Sequence, residues 1–221
     1  MSNILTIAFT TEGTTDERFL KNIITKVFEE LCFECESDIE VYEPMYLKFP
    51  KKDSFVEDVK NLSLKAFESG INVLCIHTDA DHRNDKEVMT FKINPAIEGV
   101  NKIVGARKCS NIVVIVPVHM TEAWMLADKD LLRKEIGTHQ SLTDLGINRN
   151  PESIANPKRT IEEALIKAQT NLPKRRNKVE ISDLYQPIGQ KLKILELEKL
   201  PSFIKFKKSA RDILVKLNYL N

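Results

Sequence analysis

The sequence predicts an α/β fold, in which a mainly parallel four-stranded sheet is flanked by helices and followed by a C-terminal helical extension. Two patterns lead there. Short β-rich apolar runs alternate with longer segments of helical period as far as Val116, and from Thr121 the period is helical throughout. A third observation fixes the interest of the fold. Two of the apolar runs end in acidic residues, Glu12 after the first and Asp79-Ala80-Asp81 after the third. The expected division is an α/β domain over residues 1–120 and a helical extension packed on it over residues 121–221.

The first strand is expected from Ile4 to Thr10. The first helix should run from Thr15, a candidate cap, to about Leu31, because Phe19, Leu20, Ile23, Ile24, Val27, Phe28 and Leu31 recur at helical spacing. A second strand covers Ile39 to about Leu47, with Pro44 arguing for an edge position or a bulge. Asp53 is a plausible cap for a helix from Ser54 to Ser69, which Gly70 ends. Ile71 to Ile76 is the third strand. Asn94-Pro95 has the form of a cap followed by proline at the first helical position, opening a helix to about Ala106. Ile112 to Val116, almost purely Ile and Val, has the composition of a strand covered on both faces. Beyond it, Asn156-Pro157 precedes a helix over Ile161 to Ala168, and Leu184–Leu197 and Pro201–Leu217 read as two more.

Composition is that of a globular protein, with 42% hydrophobic and 29% charged residues over 221 positions. No apolar stretch approaches the roughly 20 residues of a membrane span, and Met1-Ser2-Asn3 lacks a basic leader, so the expected compartment is the cytoplasm. Cys32 and Cys35 have zinc-ligand spacing without a second pair, which favours a helix end bearing two thiols. Charge is segregated. From Pro151 onward there are 15 Lys/Arg against 8 Asp/Glu, a net of +7, which leaves −6 for the remainder of a chain of net +1. An acidic half that holds cations beside a basic half that holds phosphates suits a metal-dependent enzyme acting on a polyanion; two solvated faces would look the same. The densest basic run, Lys174, Arg175, Arg176 and Lys178, is the candidate substrate-binding segment.

Carboxylates at the C-terminal ends of parallel strands point into the crevice where α/β folds bind ligands, and hard cations such as Mg²⁺ choose oxygen donors. Gly13 permits a tight turn after Glu12, and Asp16, four residues on, can face the same crevice, although it could equally serve the helix dipole. Alternation puts the side chains of Asp79 and Asp81 on one side and Ala80 on the other. His77 shares the side of Asp79, where packing is its default role. His82 comes next as a loop histidine with a conceivable acid/base or phosphate-contact role, while Arg83, Arg107 and Lys108 are candidate phosphate contacts.

A strand ending in Glu-Gly, a helix with an acid four residues later, and a later strand ending in Asp-x-Asp resemble the TOPRIM domain of topoisomerases, primases and overcoming-lysogenisation-defect nucleases. The segment from Pro117 to Asp128, with Thr121-Glu122-Ala123-Trp124, and the later Pro201-Ser202-Phe203 resemble a narrower bacterial family of stand-alone TOPRIM-like proteins, some encoded beside an AAA-type ATPase in anti-phage systems. The resemblance implies catalytic Glu12, Asp79 and Asp81 holding Mg²⁺ or Mn²⁺, with Asp16 a ligand for a second ion. Glu122 either completes that site or is a helix-start acid. Trp124 and Leu126 are expected in the core.

The leading expectation is therefore a divalent-metal-dependent nuclease cutting DNA or RNA, partnered by nucleic acid and by an AAA-type ATPase, with a homo-oligomer compatible and no membrane contact. The alternative is a non-catalytic regulatory or interaction module on the same scaffold. Phosphatase chemistry of the haloacid-dehalogenase kind fits less well, because its Asp-x-Asp comes after the first strand. The chain also shows no obvious topoisomerase tyrosine and carries no ATPase domain.

Overall fold

The structure, a computed structural model, describes residues 3–50, 54–105, 107–170 and 178–220. Its centre is a four-stranded, all-parallel sheet in the order β4-β2-β5-β6, formed by β2 (Ile7–Thr10), β4 (Met45–Tyr46), β5 (Val73–His77) and β6 (Ile112–Ile115). A two-stranded parallel sheet of β1 (Asn3–Leu5) and β3 (Ile39–Val41) lies beside it.

The expected first strand is thus cut in two, and the cause is Thr6. Its backbone N–H donates to Asn72 Oδ1 at 2.8 Å, and its hydroxyl donates to Gly70 O and Asn72 Oδ1 at 2.8 and 2.7 Å. The chain leaves its pairing with β3 at that point and joins β5, with Ile7 opposite Val73. The second expected strand is also divided, into β3 and β4, by the segment that holds Pro44, which has no N–H for a ladder. β4 does lie at the sheet edge.

Strand alternation sorts the core into two layers. Ile7, Phe9, Val73, Cys75, Val113 and Ile115 face a cluster that includes Phe19, Ile23 and Phe28 of α1 (Thr14–Cys32) and Phe203 and Phe206 of α11 (Pro201–Lys216). Ala8, Leu74, Ile76 and Ile112 face the other way, onto Val59 and Leu62 of α2 (Phe55–Glu68) and onto Ala96 and Val100 further along. Burying both faces explains the apolar run of β6 even though it is an edge strand. Helix α11 covers that edge, and Ser209 Oγ accepts the Val114 N–H at 3.2 Å, a group the ladder leaves over.

Two expected helix starts move. Asp53 lies outside the described residues, and Ser54 caps α2 by accepting the Glu57 N–H. Asn94-Pro95 does not open a helix. The chain is already helical from α3 (Lys86–Val88), passes through a π turn at Met89–Ile93 and continues as α4 (Asn94–Asn101). Proline lacks the N–H of the helix ladder and crowds the carbonyl four residues back, so a wider turn just before Pro95 accommodates it.

The remaining helices are α5 (Glu122–Met125), α6 (Lys129–Ile136), α7 (Leu142–Leu145), α8 (Pro157–Gln169), α9 (Ile181–Lys191) and α10 (Ile194–Leu197). Asn156 does cap α8, accepting the Arg159 N–H at 2.9 Å. The helix expected over Leu184–Leu197 is interrupted at Leu192, whose backbone is extended.

Helix α9 runs alongside α1 in the same direction. Tyr185 meets Thr15 at one end, Gly189 meets Phe19 in the middle, and Lys26 Nζ donates to the carbonyls of Gly189, Gln190 and Leu192 at the other. The start of α9 is therefore brought to the end of the sheet where the strands finish. The segments Thr121–Trp124 and Pro201–Phe203 also meet: Trp124 Nε1 donates to Ser202 Oγ at 2.7 Å and its ring packs on Phe203 and Phe206. Trp124 and Leu126 are fully buried.

Part of the charge segregation is used inside the molecule. Lys205 pairs with Asp85, Lys207 with Glu30, Arg211 with Glu34 and Lys191 with Glu135. Both cysteines of the Cys32–Cys35 pair are free thiols at the end of α1, and burial pushes the Cys32 thiol up to about 12. Among the described residues, no helix is long and apolar enough to cross a membrane.

Candidate active site

Parallel strands finish at the same end of the sheet, and β2 and β5 are neighbours there, with Thr10 opposite Ile76. Glu12 lies two residues beyond β2 and Asp79 two residues beyond β5. In that register Glu12 comes opposite Thr78, one position short of Asp79, so the two acids leave neighbouring strand ends on opposite sides of the sheet. Between β2 and α1 the chain turns tightly: Thr11 Oγ1 donates to Gly13 O at 2.6 Å, and Gly13, rather than Thr15, is the residue before the helix. A methyl group on Gly13 would meet Asp16 Oδ2 at 2.8 Å, so the absence of a side chain there lets the Asp16 carboxylate lie back over the turn.

Four acids converge, and they divide between the two sides of the sheet. On the α1/α9 side, Asp79 Oδ1 accepts the Thr121 N–H at 3.0 Å and lies 3.3 Å from His77 Nε2, while Thr121 Oγ1 is 3.0 Å from the same nitrogen. Asp16 and Glu122 are buried in the same pocket of charge. Burial raises the pKa of Asp16, helped by the charge of Asp79, against the opposing effects of His77, Thr121 and the Gly13 backbone. Burial likewise raises that of Glu122, which feels Asp16 and Asp79 and is relieved in part by a hydrogen bond from the Tyr185 hydroxyl. On the other side, Glu12 Oε1 accepts the Thr78 hydroxyl at 2.5 Å, and Lys92 Nζ stands 3.6 Å away.

His77 ties the group together. It is fully buried, which disfavours the imidazolium, and its Nδ1 has no hydrogen-bond partner among the described residues. The hydrogen bond and charge of Asp79, with the charges of Asp16 and Glu12, outweigh that cost and hold its pKa above the ordinary value. Packing is thus not its only role: its Nε2 meets both Asp79 Oδ1 and Thr121 Oγ1. Glu122 is the first residue of α5, as a helix-start acid would be, yet it faces the acidic group and is buried.

Other expected site residues fall elsewhere. Asp81 has a φ of 57°, in the left-handed region, so the alternation that would have aligned it with Asp79 stops there. Its side chain is exposed and its N–H donates to His119 O at 2.9 Å. His82 is exposed, 3.4 Å from Glu87. Arg107 and Lys108 precede β6 and so lie at the opposite end of the sheet; Lys108 Nζ is held by the carbonyls of Asn101 and Ile103. Lys174, Arg175 and Arg176 lie outside the described residues. Lys178 is exposed and leads into α9 at the acidic end of the molecule.

Thr78, Lys92, Thr121 and Tyr185 were not legible as site residues. Tyr185 is 63 positions from Glu122 and meets it because α5 and α9 pack together. A lysine one helical stretch beyond the Asp-x-Asp carries no spacing signal at all.

Among the described residues, no group of three or more His, Cys, Asp or Glu side chains is placed to hold a metal ion. The chemistry of the donors nevertheless fits a hard divalent cation. Glu12, Asp16, Asp79 and Glu122 offer carboxylate oxygens; Asp16 and Glu122 have raised pKa values chiefly because they are buried, and in lesser part because of neighbouring carboxylates whose charge such a cation would offset. A family model described as "Domain of unknown function (DUF4276)" matches residues 11–196. Comparison with curated proteins and with solved structures gives no match.

Proposed function

The chain belongs to the DUF4276 family of domains of unknown function, and we propose that it is a divalent-metal-dependent phosphodiesterase of the TOPRIM type that cuts nucleic acid. One arrangement carries the reading: Glu12, Asp16, Asp79 and Glu122 gathered at the C-terminal ends of adjacent parallel strands, each of Glu12, Asp79 and Glu122 oriented by a hydrogen bond from a neighbouring element. Ligands of open α/β sheets bind at this end.

Glu12, Asp16 and Asp79 would hold Mg²⁺ or Mn²⁺, with Glu122 beside them. Bound there, the ion supplies a Lewis acid for a phosphoryl oxygen and lowers the pKa of a water nucleophile. The chain's own residues set the stage. Thr121 N–H and His77 Nε2 fix one oxygen of Asp79, and Thr78 Oγ1 fixes one oxygen of Glu12. Tyr185 OH fixes Glu122. Asp16 and Glu122 are themselves buried, and charge interactions are stronger away from water. Lys178, shortly before α9, supplies positive charge for a polyanion.

The test is cleavage of plasmid, single-stranded DNA and RNA with Mg²⁺ or Mn²⁺, with and without an ATPase partner. Wild type should nick at least one substrate, and Glu12→Ala and Asp79→Ala should lose at least about a hundredfold in rate. A protein that never cuts, and whose Asp79→Ala variant keeps its biological activity beside the ATPase, would instead be an interaction module on a TOPRIM scaffold.

A further inference from the structure

Lys92 is a cation that the fold delivers to Glu12, and it arrives on an unusual piece of backbone. It sits in the π turn Met89–Ile93, between α3 and α4. A π turn holds one residue more than an α turn, which rotates the faces of α3 by about 100° relative to those of α4. From there the ammonium stands 3.6 Å from Glu12 Oε1 and 3.5 Å from Thr78 Oγ1, with 40% of the side chain in solvent.

These contacts are too loose for a structural clamp. Lys26 Nζ, by contrast, has three carbonyls at 2.7–2.9 Å, and Lys205 Nζ has both oxygens of Asp85 at 2.7–2.8 Å. A half-exposed pair at 3.6 Å adds little to stability, because solvent screens it. What the position does offer is a mobile ammonium, with three donors, at the solvent edge of the acidic group.

We infer that Lys92 is the phosphate-contacting residue of this site, its ammonium turning from Glu12 to a non-bridging oxygen of a bound phosphodiester. The inference rests on the nuclease reading and deepens it. It assigns the contact nearest the reacting phosphate to the π turn, and leaves Lys178 to hold the flanking backbone.

The experiment is binding of a short, labelled, phosphorothioate-linked single-stranded DNA in Mg²⁺ across a salt series, for wild type, Lys92→Met, Lys92→Arg and Lys178→Met, together with cleavage of the ordinary oligonucleotide. Thermal melts confirm that each variant is folded. Lys92→Met should weaken binding by about tenfold or more and flatten the salt slope by about one unit, with cleavage falling further than binding. Lys92→Arg, which keeps the charge, should retain most of the binding. Lys178→Met should lower affinity and cleavage in the same proportion.

Wild-type binding and cutting with Lys92→Met indistinguishable from it would overturn the role of Lys92 and leave the nuclease reading standing. Equal losses in Lys92→Met and Lys92→Arg would overturn it too, since a packing role would not spare arginine. A wild type that binds no nucleic acid in any condition would sink both.

Discussion

The Tyr185 hydroxyl donates a hydrogen bond to Glu122 Oε1, joining α9 to the first residue of α5 beneath the acidic end of the sheet. Both residues are buried, so neither has water as a substitute partner. Tyr185→Phe removes the donor and leaves a buried carboxylate unsatisfied, which should cost about 1–3 kcal/mol. Urea unfolding reads it directly; a variant within about 0.5 kcal/mol of wild type would mean that Glu122 finds another donor.

Asp16 makes a pH-dependent prediction. Its folded pKa is raised by burial and by Asp79, so ionising it opposes folding. The contribution to stability is therefore full below the ordinary carboxylate range and is lost as pH rises through the raised value. Asp16→Asn should melt higher than wild type at about pH 8, by about 2–4 °C for each 1 kcal/mol relieved, and lose that advantage near about pH 4. Adding Mg²⁺ should narrow the gap at the higher pH by stabilising wild type alone. Parallel melting of the two proteins across the whole range would refute this.

Gly13→Ala separates site geometry from stability. The new methyl would meet Asp16 Oδ2 at 2.8 Å, and what must move is the end of a side chain rather than backbone. The fold should change by less than about 1 kcal/mol. Cleavage should fall by about tenfold to a hundredfold, because a displaced carboxylate is enough for that. Full activity in the variant would show that the position of Asp16 is unimportant.

Gly189→Ala should do the reverse. Its Cβ would meet Phe19 O at 2.9 Å and Phe19 Cα at 3.1 Å, both backbone atoms of α1. Neither helix yields cheaply, so overpacking should cost about 1–3 kcal/mol, read as a lower thermal midpoint. An unchanged midpoint would mean that α9 can shift along α1 without loss.

Much of this molecule was legible because it depends on local pattern. Phe19, Ile23 and Phe28 announce α1 at helical spacing, and the alternation of Val73, Leu74, Cys75 and Ile76 belongs to a strand buried on both faces. Where the reading slipped, a single side chain or a neighbour intervened. Thr6 ends one pairing and starts another because Asn72, 66 residues away, captures its N–H. Asn94-Pro95 has the form of a helix start, but the preceding chain was already helical and absorbed the proline in a π turn.

The site divides the same way. Glu12, Asp16, Asp79 and Glu122 can be picked out from their places after strands and at helix starts, because the sequence by itself determines which residues overhang the end of a parallel sheet. Only the tertiary structure decided which of them are buried together and who orients them. Asp81 leaves the alternation through its own backbone angle, while Thr121, Tyr185 and Lys92 enter the site through contacts between elements. Such contacts depend on how helices pack over the sheet. The order and period of residues along the chain specify each element and its buried face, but not which polar groups two buried faces will bring within 3 Å of each other.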